Sequence, residues 1–361
     1  MDERRYWLAL SICNGIGPVR FQKLLRHFGS AKKAWEASLL ALKESGIGEK
    51  VSQDIFDFRK TFRLETYEER MHKLHVSFIT LQDNEYPSLL KQIKNPPIIL
   101  YKKGTYKFNK NDTLVSVVGT RKITEYGREV TTMLVSELVA SGCVIVSGLA
   151  MGVDAVAHAA TIAARGKTIA VLGSGVDLCT PEENSRLYDE ILANGGAIIS
   201  ENPLGMTPNK GSFPARNRII AGLSQGVLVT EGAEDSGSLI TANDAISNNR
   251  KVFAVPGPIT SSVSKGPIAL IAKGAKMVTS GKDIIVELGI TNNGSRKENM
   301  RVRKDLSEEE RVIIALLQDQ RVSFDELVKK TGWNSAKLGI LLSMMEIKGL
   351  ITPLTGGFFR L

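Results

Sequence analysis

Short runs of Val, Ile and Leu recur at regular intervals through the middle of the chain, at 114–118, 144–146, 168–172, 197–199, 227–229, 252–255 and 276–278. Between them lie stretches with helical periodicity at 125–141, 153–165, 184–194 and 238–248. Buried strands that alternate with helices predict an α/β domain over 113–290, a mostly parallel sheet covered on both faces. Sheets of this kind bind ligands beyond the carboxyl ends of their strands. The residues there are small or polar: Gly119-Thr120-Arg121, Ser147-Gly148, Gly173-Ser174-Gly175 and, just before a helix, Ser236-Gly237-Ser238. Glycine lets a backbone approach a ligand, and a helix amino end offers free N–H groups to an anion, so these turns are candidate phosphate and backbone loops.

The flanks read differently. Residues 1–85 are helical in pattern, with Gly15-Ile16-Gly17-Pro18 and Gly46-Ile47-Gly48 each preceding a helix. Gly-hydrophobic-Gly turns mark a SAM-like or helix-hairpin-helix domain. Such turns can hold a DNA phosphate, but a purely structural helical module is the favoured reading. Residues 86–112, with Pro87, Pro96 and Pro97, read as a connector, and the polar stretch 291–305 as a linker. Residues 306–361 carry three helical patterns and a terminal hairpin, the order of a winged-helix domain. Its third helix, at 335–348, offers few side chains able to bond a base edge, which favours a protein contact or packing over sequence reading.

Composition narrows the class. The 361 residues are 43% apolar and 24% charged, ordinary for a globular chain of more than one domain. No apolar run is long enough for a membrane span, and the amino end lacks a signal peptide's pattern. Three widely spaced cysteines and four histidines exclude a zinc ribbon or a disulfide framework, and predict a cytoplasmic chain with no metal site. The net charge of +9 is unevenly spread. Residues 1–112 hold 20 basic and 13 acidic side chains, residues 113–290 hold 15 and 16, and residues 291–361 hold 12 and 9. A basic balance suits nucleic acid or is simply a soluble surface; in the near-neutral middle an anion site needs a local cluster.

One such cluster is Lys210-Gly211-Ser212-Phe213-Pro214-Ala215-Arg216-Asn217-Arg218. Arginine grips phosphate with a planar fork, and a phenyl face can stack on an unpaired base. Bases in a duplex are already stacked, so the mixture favours single strands. The competing reading buries Phe213 and pairs Arg216 and Arg218 with acids such as Glu201 or Glu231. Arg121 closes the first strand on the same rim and is a second candidate phosphate contact. No Gly-x-Gly-x-x-Gly follows that strand and no Walker lysine loop is present, which excludes nicotinamide and ATP chemistry and leaves no cofactor expected. His158 lies one helical turn from Asp154. An acid–base dyad there lacks a nucleophile, so a structural tie is the favoured role, and Asp177 and Asn184 are expected to hold loops by local hydrogen bonds.

Taken in order, Gly119-Thr120-Arg121, the run 147–154 with Ala157-His158, Gly173-Ser174-Gly175-Val176-Asp177, the run 213–223, the run 236–242 and Val255-Pro256-Gly257 resemble the DNA-processing protein A (DprA, Smf) family. The resemblance covers the whole sheet domain, and more loosely both flanks. It implies an extended Rossmann-like domain that binds single-stranded DNA, in a protein that loads the RecA recombinase onto it during natural transformation, contacts RecA directly and forms a homodimer. It implies no catalytic residue, and a basic pocket of Arg121, Lys210, Phe213, Arg216, Asn217 and Arg218. The alternative from another class is a nucleotide-processing, phosphoribohydrolase-like enzyme on a similar fold. The run from Thr230 to Ser238 lacks that group's Pro-Gly-Gly-x-Gly-Thr-x-x-Glu motif.

Overall fold

A computed structural model describes residues 3–290, 307–317, 322–347, 350–354 and 357–360. The expected linker, 291–305, lies outside the described residues. The chain divides into two compact units, 1–291 and 292–361.

The first unit opens with the helices Glu3–Ile12, Pro18–Phe28, Ala31–Glu36, Leu39–Glu44, Glu49–Thr61 and Leu64–Lys73. Nine strands follow: β1 (Val76–Thr80), β2 (Ile99–Gly104), β3 (Leu114–Val118), β4 (Val144–Ser147), β5 (Thr168–Val171), β6 (Ala197–Ser200), β7 (Gly226–Val229), β8 (Lys251–Ala254) and β9 (Lys276–Met277). They form one sheet in the order β1-β2-β6-β5-β4-β3-β7-β8-β9. From β6 to β9 every pair is parallel; β2 joins β6, and β1 joins β2, antiparallel.

Two segments depart from the sequence expectation. Residues 1–85 end in a strand, and the supposed connector contributes β2. Prolines and Lys102-Lys103 disguise β2, yet Tyr101 within it is fully buried and bonds Ser11 Oγ at 2.9 Å, tying the amino-terminal helices to the sheet. The helices Ser212–Leu223 and Lys265–Ala272 also add to those expected between the strands.

Alternation along the parallel strands feeds two faces. Val118, Val146, Ile169 and Val227 pack with Ile219, Ile220 and Leu223 of the helix Ser212–Leu223 on one face. Val115, Val117, Ile145 and Leu228 pack with Leu134, Leu138 and Val153 on the other. Because β4, β5 and β6 extend from β3 one way and β7, β8 and β9 the other, the strand order reverses at β3. A crevice therefore opens between the carboxyl ends of β3 and β7.

The second unit has the helices Glu308–Leu317, Phe324–Thr331 and Ser335–Ile347, with a small sheet of β10 (Val322–Ser323), β11 (Thr352–Leu354) and β12 (Phe358–Arg360) in the order β10-β12-β11. Ser323 and Glu326 form a reciprocal capping box, and Gly332 closes the second helix in the left-handed conformation. The third helix buries Leu338, Leu342 and Met345 and exposes Ile340 and Met344. Its Lys337 is paired with Glu309 and lies over the Trp333 ring.

Candidate nucleic-acid interface

The loop that leaves β3 is locked from two sides. The Thr120 N–H donates to the Glu231 carbonyl at 2.8 Å, and the Val153 N–H donates to the Thr120 carbonyl at 3.1 Å. Buried Glu231 accepts from the Thr124 N–H at 2.9 Å and the Thr124 hydroxyl at 2.5 Å. Gly119 is obligatory, since a Cβ there would stand 2.5 Å from a Val153 methyl. Arg121 thus projects, exposed, from a fixed support.

The helix Ser212–Leu223 delivers the opposite wall. Asn209 Oδ1 accepts from the N–H groups of Gly211 and Ser212, which sets the start of the helix. Phe213 is half-buried in its first turn, and the Arg121 guanidinium carbon lies 5.3 Å from its ring centre. One turn on, Arg216 is only 6% exposed. Its Nη1 donates to the carbonyls of Gly148 at 2.5 Å and Val171 at 2.6 Å. Its Nε is buried with no partner among the described residues. Buried Asp154 accepts the Gly148 N–H at 3.1 Å, so Gly148 joins the two charges through its N–H and its C=O. Burial lowers the Arg216 pKa, Asp154 opposes that, and the Arg121 charge adds to the lowering. Burial raises the Asp154 carboxyl, with the Arg216 charge and the Ala150 and Gly148 amides acting against it. The two guanidinium groups therefore repel across the crevice, with no carboxylate within ion-pair distance of either among the described residues.

Two cavities meet at this divide. The first, about 250 Å³, opens at the strand-order reversal and is lined by Gly119, Arg121, Asp154, Phe213, Arg216, Asn217 and the Ser236-Gly237-Ser238 turn, among others. That turn starts the helix Gly237–Ser247, with Ser236 Oγ accepting the Ser238 N–H at 3.3 Å. The second, about 120 Å³, is more apolar: Ala150, Met151, Pro181, Pro208 and Phe213 surround Gly148, Gly173 and Ser174. Arg121, Phe213 and Arg216 border both.

The structure thus brings Arg121, Phe213, Arg216 and Asn217 together. Lys210 stands exposed four residues beyond a pinned turn at 203–206, with no ion pair among the described residues. Arg218 is corrected: it faces away from the crevice, its Nη2 paired with Glu201 and its Nη1 bonded to the Asn95 carbonyl at 2.7 Å. One helix cannot turn residues two apart to the same side, and 216 and 218 differ by about 200°. Arg216, although in the crevice, is held by carbonyls and is not an exposed fork. Among the loops, Ser147 is also corrected, because its hydroxyl is buried and donates to the Val117 carbonyl at 2.6 Å. Thr120 and Gly175 support neighbouring turns and border neither cavity. Asp154 and Glu231, which orient the site, carry a sequence signal only as acids beside glycine turns. Met151 and Ile240, exposed at its rim, carry none.

His158 forms no dyad. Its Nδ1 lies 2.7 Å from Thr168 Oγ1, whose proton goes to the Ile145 carbonyl at 2.8 Å, which places the imidazole proton on Nδ1. Asp177 and Asn184 do hold loops: Asp177 accepts the Gly205 N–H, and Asn184 donates to the Leu149 carbonyl. Among the described residues no His, Cys, Asp and Glu group is arranged to hold a metal, and no helix is long and apolar enough to cross a membrane.

These features define an extended Rossmann-like protein with a basic crevice at the reversal of its strand order, flanked in sequence by helix-hairpin-helix and winged-helix units. Residues 77–289 match the family model of DNA recombination-mediator protein A, 299–357 the DprA winged helix domain, and 1–45 the DprA-like N-terminal HHH domain. The chain belongs to the DNA-processing protein A family. It is 35% identical to protein Smf of Synechocystis over 390 residues, 98% of each chain. It is 45% identical to the DNA processing protein DprA of Bacillus subtilis over 213 residues, 59% of this chain and 71% of that one. The crystal structure of DprA from Streptococcus pneumoniae covers 80% of this chain and 98% of its own at 35% identity, with a TM-score of 0.65. A structure of the Helicobacter pylori protein, reported for its single-stranded DNA binding mode, covers 60% of this chain and 97% of its own at 33% identity, with a TM-score of 0.53.

Proposed function

We propose that this chain is a non-enzymatic recombination mediator that grips single-stranded DNA in the crevice between β3 and β7 and delivers it to the RecA recombinase. The observation that carries the reading is Arg216, 6% exposed and with an unpartnered Nε, beneath the Arg121–Phe213 stack. A phosphate there would relieve the repulsion between the two guanidinium groups, and the ring offers an unpaired base a stacking face. Lys210 would add a phosphate contact, Asn217 and the Ser236–Ser238 turn polar ones. The Helicobacter relative's single-stranded DNA binding mode and the mediator description of the family model support the same reading. A homodimer, action in the cytoplasm and a role in natural transformation belong to the proposal as the family's expected setting.

The test is Arg121→Glu combined with Lys210→Glu. Anisotropy of a labelled oligothymidylate should lose binding while the unfolding midpoint stays put. The wild-type chain, and not the variant, should then speed RecA assembly on strands coated with single-strand-binding protein. Undiminished affinity in the variant would overturn the site.

A further inference from the structure

Resting on that reading, we infer that the amino-terminal helical domain is a strut of the crevice, acting through Asp177 as a positioning residue for Lys210. The segment leading to Lys210 is pinned at three consecutive residues. The Leu204 N–H donates to Tyr67 Oη at 2.8 Å, the Gly205 N–H donates to Asp177 Oδ1 at 2.9 Å, and the Gly175 N–H donates to the Met206 carbonyl at 2.8 Å. The second oxygen of Asp177 takes Nη2 of Arg70, from the helix Leu64–Lys73, at 2.8 Å. One carboxylate, on a side chain only 8% exposed, therefore bridges the helical domain, the turn after β5 and the turn after β6. Gly205, at φ +80°, lies beneath the Arg70 guanidinium, where a Cβ would sit 3.1 Å from Nη2. Pro208, lining the apolar cavity, and Lys210 follow directly.

The helix-hairpin-helix turns of the same domain are engaged with each other. Arg20 donates to the carbonyls of Gly15 at 2.8 Å and Ile47 at 3.1 Å, and Lys23 donates to that of Gly46 at 2.9 Å. Those cations staple the two hairpins together. Arg20 and Lys23 are thus occupied within the domain, whereas Arg70, through Asp177, reaches the segment that carries Lys210.

Positioning and a simple field effect change affinity in opposite directions. Removing a carboxylate near a polyanion site strengthens binding if only the field matters. Removing a strut weakens it. Asp177→Asn keeps an acceptor for the Gly205 N–H and loses the ion pair to Arg70.

The experiment measures oligothymidylate affinity of the full chain across a salt series for the wild type, Asp177→Asn, Arg70→Met, Arg70→Lys and the Arg70→Met/Asp177→Asn double variant. Asp177→Asn should weaken binding about fivefold and flatten the slope of log affinity against log salt by about 0.7, one phosphate contact. The double variant should be no worse than the poorer single variant, and Arg70→Lys should restore most of the loss. Lys23→Glu should bind within about twofold of wild type. Tighter binding by Asp177→Asn, or an unchanged salt slope, would overturn the strut; a wild-type chain that fails to bind would instead overturn the crevice reading.

Discussion

The guanidinium carbon of Arg121 lies 5.3 Å from the centre of the Phe213 ring, although one residue comes from the loop after β3 and the other from the first turn of the helix Ser212–Leu223. The pair is the wall between the two cavities, so the ring is kept near a cation and open to a ligand. Phe213→Ala should cost about 1–3 kcal/mol of single-strand affinity, the range for one stacked base, and Phe213→Trp should retain it. Titration of a labelled oligonucleotide checks both. An alanine variant that binds as wild type does would remove the ring from the interface.

Gly148 carries the next prediction. A Cβ there would lie 1.9 Å from Nη1 of Arg216, a position no rotamer of a residue bonded to two carbonyls can clear. Gly148→Ala should displace the guanidinium, leave Asp154 uncompensated and lower stability by at least about 2 kcal/mol. Urea unfolding should register a lower midpoint at unchanged slope, with weaker DNA binding alongside.

How much of this was legible in the chain depends on what each residue had to signal. The parallel strands β3 to β8 were, because buried strands are apolar runs such as Leu114–Val118 that contrast with the helices between them, whereas exposed β9 is marked only by Met277 and buried Val278. β1 and β2 were not, since antiparallel strands near a sheet edge tolerate lysines and flanking prolines, and only the pairing of β2 with β6 and of β1 with β2 declares them. The crevice was legible as glycine turns at strand ends. The orientation of Arg216 against Arg218 was not, because Gly211 and Pro214 mask the start of the helix Ser212–Leu223 and without its phase the two arginines look alike. Helical phase sends Arg216 to the crevice and Arg218 to Glu201.

Glu231 separates the mediator from the alternative enzyme. Its carboxylate is engaged by the N–H and hydroxyl of Thr124 and would collide with any Cβ on Gly127. Glu231→Ala should leave those groups unsatisfied and cost roughly 1–3 kcal/mol of stability. Incubation of wild type with a nucleotide panel should release neither base nor ribose phosphate. Release that the alanine variant abolishes would favour the enzyme.

His158 gives a pH dependence. Burial pushes its imidazole down to about 3, helped by the Arg216 charge. In the unfolded chain it titrates near about 6.5, so between those values the unfolded state binds more protons and stability rises with pH. Acidification from about 6.5 downward should therefore remove up to about 1.4 kcal/mol per pH unit through this group. His158→Gln should lower the neutral plateau and lessen that slope. Thermal unfolding between pH 4 and pH 8, spanning the window below about 6.5, measures both.

On the proposed function an unpaired strand lies in the crevice with one phosphate between Arg121 and Arg216 and another on Lys210. The most direct measurement is the affinity of the wild-type chain for an oligothymidylate and for a duplex of equal length across a salt series. Binding of the single strand should be tighter, with a log–log slope near −1.4, about −0.7 for each of two phosphate contacts. Equal affinity for duplex, or an affinity indifferent to salt, would contradict it.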